Sequence, residues 1–155
     1  MARLDEAGRP VFLVEPQTYM NRSGLAVRAA ISALGVVDEL LVVLDDVYLS
    51  LGRLRVRRGG GDGGHNGLRS IIDEVGSSDF ARLRVGVGTS SAGELSDHVL
   101  SRFERSERSL VRRIVAAAAD AAATVIDEGV ESAMNKFNGI DLATDGLHEA
   151  LEESV

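Results

Sequence analysis

Residues Gly59 to Leu68 read Gly-Gly-Gly-Asp-Gly-Gly-His-Asn-Gly-Leu, which sets an imidazole, His65, beside a carboxamide, Asn66, at the exit of a glycine run. The two side chains can donate and accept hydrogen bonds next to one another. Five of the first six residues are glycine, so the backbone around Gly63 can take φ > 0 and come close to a ligand. Alternation from Arg53 to Arg57 predicts a strand before the loop, and Leu68, Ile71, Ile72 and Val75 predict a helix after it. His65 and Asn66 are therefore expected just ahead of a helix N-terminus, where unpaired N–H groups face outward. A flexible connection with Asn66 as N-cap is the plainer reading. The His-Asn pair at the exit and the basic residues at the entry favour a binding loop. It is not a Walker-type phosphate loop, since no Lys-Ser/Thr follows, and its spacing misses Gly-x-Gly-x-x-Gly.

A second set of charged groups flanks apolar runs. Glu39 to Leu44 predicts a strand covered on both faces, as in a parallel sheet, and it ends at Asp45-Asp46. Carboxylates at the C-terminal end of a central strand lie where open α/β sheets place ligands. Asp45 is the candidate to orient an imidazole, while Asp46 reads as a solvated turn residue. Arg53, Arg55 and Arg57 fall on one face of their strand, with Leu54 and Val56 on the other. That pattern fits an edge strand protected by charge, or a contact to an anionic partner such as a phosphate backbone. Phe80 to Gly88 predicts a further strand with Arg82 and Arg84 on one face. Gly86 and Gly88 make only an incomplete dinucleotide fingerprint.

The elements that must position these groups alternate between strand and helix. They predict a single α/β domain with a mixed sheet flanked by helices. The sheet is mixed because the Arg-rich strand follows Asp46 too closely for a helical crossover. Val11 to Val14 reads as a short buried strand onto which Met1 opens almost directly. Ser23 or Asn21 is expected to cap a helix carrying Leu25, Ala29, Ile31 and Leu34, stopped by Gly35. A long Ala-rich helix starts at Ser106 or Glu107 and ends near Gly129, and another spans Val130 to Phe137. Residues 1–139 are read as the domain and 140–155 as a fraying acidic tail. Thr89 to Gly93 reads as a mobile stretch, and His98 and His148 as ordinary surface or packing histidines.

Composition narrows the chemistry. The net charge is −7, yet residues 53–84 hold seven Arg against four Asp/Glu, while residues 136–155 hold one Lys against five. Screening confines each charge to roughly 8–10 Å, so a local basic patch can outweigh the total. The absence of cysteine excludes disulfides, thiolate metal sites and a Cys nucleophile. Three widely separated histidines argue against zinc, and no metal or cofactor is expected. No apolar run reaches membrane-spanning length and Met1 to Pro10 lacks signal-peptide character, so a cytoplasmic chain is expected.

Five stretches, in order, resemble the bacterial peptidyl-tRNA hydrolase family: Pro-Gln-Thr-Tyr-Met-Asn-Arg-Ser-Gly, Leu-Val-Val-Leu-Asp-Asp, the glycine loop with His65-Asn66, Phe-Ala-Arg-Leu-Arg-Val-Gly-Val-Gly and Ala-Met-Asn-Lys-Phe-Asn-Gly. The resemblance implies the family's α/β fold, metal-free hydrolysis of the ester joining a peptide to tRNA, tRNA as the partner, and a monomer. It implies that Asp45 holds the catalytic histidine in its basic form and that Asn21 positions substrate and water. Tyr19 and Met20 then line the pocket, Asn66 grips the peptidyl end, and His65 belongs to the same network. Gly63 lies in the substrate loop, and Arg57 and Arg84 match positions that hold tRNA. The family's opening strand and helix, with the Thr-Arg-His-Asn segment that supplies the general-base histidine, have no counterpart in these 155 residues. His98 falls in the stretch resembling the family's lid, and Tyr48 stands where many members carry an acidic residue. The favoured expectation is a start recorded too far downstream. The alternatives are a gene fragment, or a protein that binds RNA or peptide without hydrolysis. These residues alone are expected to hydrolyse weakly or not at all.

Overall fold

The computed structural model of the chain describes residues 1–6, 9–35, 39–88 and 100–144. Where the sequence reads as one domain, the chain divides into two compact units. The first comprises Met1–Leu40 and Arg58–Ala81; the second comprises Leu41–Arg57 and the residues from Arg82 onward.

In the first unit, β1 (Ala2–Glu6) pairs antiparallel with β2 (Arg9–Leu13), setting Ala2 opposite Leu13 and Leu4 opposite Val11. The expected buried strand at Val11 to Val14 is therefore a hairpin arm, with Leu13 52% exposed and Val14 38% exposed. A two-stranded ribbon has too little cover to bury its side chains. Next, Met20–Arg22 make one 3-10 turn that runs into α1 (Ser23–Leu34). Neither Ser23 nor Asn21 caps this helix. Arg22 occupies the N-cap without a side-chain bond, and the Ser23 hydroxyl donates instead to the Met20 carbonyl at 2.8 Å. Gly35 ends the helix as expected.

The second helix of this unit, α2 (Asn66–Val75), packs on α1. The approach is close at Gly24, whose N–H donates to the Ser70 hydroxyl at 3.0 Å. A Cβ at Gly24 would overlap the Ser70 carbonyl. The pairing of Arg28 with Glu74 at 2.7 Å adds a contact at the rim.

Strands β3 (Leu41–Asp46), β4 (Leu54–Arg58) and β5 (Ala81–Gly86) form a sheet in the order β3-β5-β4. The Ala81 N–H bonds to the Leu40 carbonyl and the Val87 N–H to the Asp46 carbonyl, a parallel progression. Bonds from Gly59 to Phe80 and from Gly86 to Arg53 run the opposite way, so β4 is antiparallel to β5 and the sheet is mixed. Among the described residues β3 is an edge strand rather than a central one. Val43 is 55% exposed, which corrects the expectation of cover on both faces. Gly86 has a packing role: a Cβ there would overlap the Ser50 carbonyl in the turn after β3.

The rest of the second unit is helical. A one-turn segment, Arg105–Glu107, carries a reciprocal cap between Glu104 and Glu107 and leads into α3 (Arg108–Glu128). Gly129 turns the chain into α4 (Val130–Phe137), which packs back on α3. Leu54, Val56, Leu83, Ile114, Ala121, Val125 and Ala133 are buried in this unit. After α4, Asn138 acts as a substitute strand: its side chain accepts from the Val56 N–H at 2.7 Å and donates to the Val56 carbonyl at 3.0 Å. The ordered fold continues past Gly139. Asp141 bridges to Arg53, the Leu142 N–H reaches the Gly52 carbonyl, and Arg113 donates to the Leu142 carbonyl. Thr89 to Gly93, His98 and His148 lie outside the described residues.

Candidate functional site

The glycine loop is built rather than slack. Gly59, Gly60, Gly63 and Gly64 all take positive φ, the region that favours residues without a Cβ. Asp62 pins the loop by accepting from the Gly64 N–H at 2.7 Å and pairing with Arg69 at 3.2 Å. Those two donors, Arg69 first, hold the Asp62 carboxyl below the usual carboxylate range. At the loop's exit the N-cap of α2 is His65, not Asn66: its Nδ1 accepts from the Leu68 N–H at 3.1 Å. An accepting Nδ1 leaves the ring proton on Nε2. Asn66 becomes the first helical residue and is exposed.

The other sequence motif of this unit meets the loop's exit. A Cβ on Gly67 would collide with Met20 Sδ and crowd the His65 ring, so Met20 lies directly against the start of α2. The turn that carries Met20 also presents Asn21, which is exposed, and follows Tyr19, which is 82% exposed. Tyr19, Met20, Asn21, Gly63, His65 and Asn66 thus all belong to the first unit, with Met20 and His65 both seated against Gly67.

Asp45, Arg57 and Arg84 belong to the second unit. Asp45 is half-buried at the penultimate position of β3. Asp46 is not the solvated turn residue expected from the sequence. It is buried, pairs with Arg84 at 3.0 Å and accepts from the Tyr48 N–H at 2.9 Å. The strand runs two residues past its apolar stretch and carries this carboxylate inward with it.

The basic segment is also smaller than its arginine count suggests. Arg82 is fully buried, and the Arg84 side chain is 12% exposed and committed to Asp46. Arg84 therefore braces the end of β3 through Asp46. Arg53 pairs with Asp141, Arg58 with Glu39 and Asp79, and Arg69 with Asp62. Among the described residues, this leaves Arg55 and Arg57 exposed on β4 without an ion pair.

One feature was missed from the sequence. Ser101, Arg102, Phe103, Arg108, Val111 and Arg112 line an open cleft of about 490 Å³ in the second unit. The signal was the four-residue spacing of Arg108 and Arg112 on a helix, which puts both on one face. Among the described residues, no group of three His, Cys, Asp or Glu side chains is clustered as metal ligands would be. No helix among them is long and apolar enough to cross a membrane.

Residues 1–145 match the family model described as peptidyl-tRNA hydrolase. A peptidyl-tRNA hydrolase of Clostridium beijerinckii is 43% identical over 138 residues, which cover 88% of this chain and 72% of that protein. One from Chlorobaculum tepidum is 46% identical over 139 residues, covering 88% and 74%. A crystal structure of peptidyl-tRNA hydrolase from Acinetobacter baumannii matches with a TM-score of 0.78 at 35% identity, over 90% of this chain and 72% of that one.

Proposed function

The chain belongs to the peptidyl-tRNA hydrolase family, and from that premise we propose how its residues divide the work of the reaction. The reaction is hydrolysis of the ester joining a peptide, or an N-blocked amino acid, to tRNA. A water oxygen bonds to the ester carbonyl carbon, the bond to the ribose oxygen breaks, and the sugar leaves as a protonated hydroxyl. Such a step needs a base for the water and donors for the developing oxyanion.

In this reading the Asn66 carboxamide, at the first turn of α2, grips the peptidyl end, and Asn21 orients the ester and the water. His65 is a positioning residue, because its Nδ1 is engaged in fixing the start of α2. Gly63 lets the loop backbone approach the substrate, and Tyr19 and Met20 form the apolar wall. Asp45 orients the general-base imidazole, which the resemblance assigns to a Thr-Arg-His-Asn segment. The three histidines in the present sequence are His65, His98 and His148. Arg57 meets the tRNA backbone, and Arg84 acts through Asp46 to hold the end of β3. The protein works as a cytoplasmic monomer.

The observation that carries this reading is the seating of Met20, from the turn that also holds Asn21, against Gly67 beside His65. The test is release of free tRNA from an N-blocked aminoacyl-tRNA by the chain preceded by a relative's Thr-Arg-His-Asn segment. Turnover is expected, with a loss of about 10²-fold or more on Asn21→Ala or Asn66→Ala if each supplies an oxyanion or water contact. No turnover by that form would end the assignment of these residues.

A second reading, RNA binding without hydrolysis, is favoured by the exposure of Arg55 and Arg57 side by side on one face of β4. It predicts salt-sensitive tRNA binding by the 155-residue chain and no hydrolysis by the extended one.

A further inference from the structure

We propose that the cleft lined by Arg102, Phe103, Arg108 and Arg112 is a second RNA-docking surface that holds the ribose–phosphate backbone of the substrate's tRNA body. The inference rests on tRNA being the substrate and concerns a surface separate in sequence from Arg57.

Three observations carry it. The first is charge: residues 101–113 hold five arginines against two glutamates in a chain whose net charge is −7. Both glutamates are tied to backbone N–H groups in the reciprocal cap of the one-turn segment that leads into α3. The side chains of Arg102, Arg108 and Arg112 are exposed and make no hydrogen bond or ion pair with any described residue.

The second is cost. Arg108 opens α3 and Arg112 lies one turn on, so both cations sit near the positive end of the helix dipole. They also stand four residues apart, where like charges repel. Among the described residues no carboxylate forms an ion pair with either cation, whereas a polyanion would offset both terms.

The third is shape. The cleft is open and about 490 Å³, with Phe103 41% exposed and Val111 on its wall. An exposed aromatic ring among guanidinium groups offers stacking as well as phosphate contacts. An open mouth suits a passing backbone better than an enclosed small molecule.

The experiment is a salt titration of tRNA binding by the 155-residue protein, comparing wild type with the Arg108→Glu/Arg112→Glu pair. Deacylated tRNA and a short N-blocked aminoacyl-CCA oligonucleotide serve as probes. The pair is expected to weaken tRNA binding by about tenfold or more. It is also expected to reduce the slope of log K against log salt by about two contacts' worth, roughly 0.7–0.9 each. Affinity for the short oligonucleotide stays unchanged. Arg108→Lys/Arg112→Lys, which keeps the charge, should retain most of the binding and the slope, separating an electrostatic role from a structural one. Unchanged tRNA affinity and slope in the charge-reversed pair, with Arg57→Glu still weakening binding, overturns the inference and leaves tRNA as substrate. Wild type that binds neither probe overturns both. Loss of binding to polyglutamate but not to tRNA also overturns it, in favour of an acidic protein partner.

Discussion

Asp46 and Arg84 show how the role of a single residue can be separated from its type. Their side chains are 9% and 12% exposed and meet at 3.0 Å. Removing one partner of such a pair strands the other, at a cost of about 3–5 kcal/mol, whereas replacing both is often nearly neutral. Arg84→Met should therefore lower the denaturant midpoint sharply, and Arg84→Met/Asp46→Leu should recover most of it. A loss of tRNA affinity by Arg84→Met without loss of stability would instead return Arg84 to the RNA-contacting set. Asp62 gives a prediction in pH. Its folded carboxyl is held low, chiefly by Arg69, so its contribution is fully present above the unfolded value near 4 and is lost as pH falls through the lower folded value. Amide exchange at Gly64, measured by NMR and corrected for intrinsic rates, should thus be flat in protection from pH 8 to pH 5 and lose protection only in stronger acid. Asp62→Asn should lower that protection at every pH in the range.

At the scale of elements, the close approach of α1 and α2 depends on Gly24, and backbone rather than a movable side-chain tip fills the space a Cβ would need. Gly24→Ala should cost about 1–3 kcal/mol as overpacking, read as a drop in melting temperature. Gly67→Ala should behave differently. The atom it meets first is Met20 Sδ, which can shift, and alanine is favoured over glycine in a helix by about 1 kcal/mol. Stability should change little, while hydrolysis falls because Met20 and His65 are displaced. Asn138→Ala removes two bonds to Val56, a fully buried residue, and should cost about 1–3 kcal/mol by chemical denaturation.

These elements also show what could be read beforehand. Gly35 and Gly129 marked helix ends, and Val130 to Phe137 formed the helix its periodicity predicted, because stop signals and 3.6-residue spacing are local properties. The pairing of His65 with Asn66 at the head of a helix was legible for the same reason. The strand Ala2–Glu6 was not, since Leu4 is its only large apolar residue and the pairing with β2 is what makes it a strand. Nor was the burial of Arg82, or that of Asp46, whose partner Arg84 comes from a different strand.

On the scale of the whole molecule, each compact unit is assembled from two stretches of chain with part of the other threaded between them. A polypeptide ending at Arg57 would hold α1 without the α2 on which it packs. It should show poorly dispersed NMR signals and no cooperative melt, and a sharp transition from that fragment would contradict the interleaving. The same arrangement bears on the protein's birth at the ribosome. At about 5–20 residues per second, α1 leaves the exit tunnel seconds before its packing partner has been made. For that interval α1, which carries Val27 and Ile31, has no α2 on which to pack, so the nascent chain presents these apolar side chains to the chaperones waiting at the tunnel mouth.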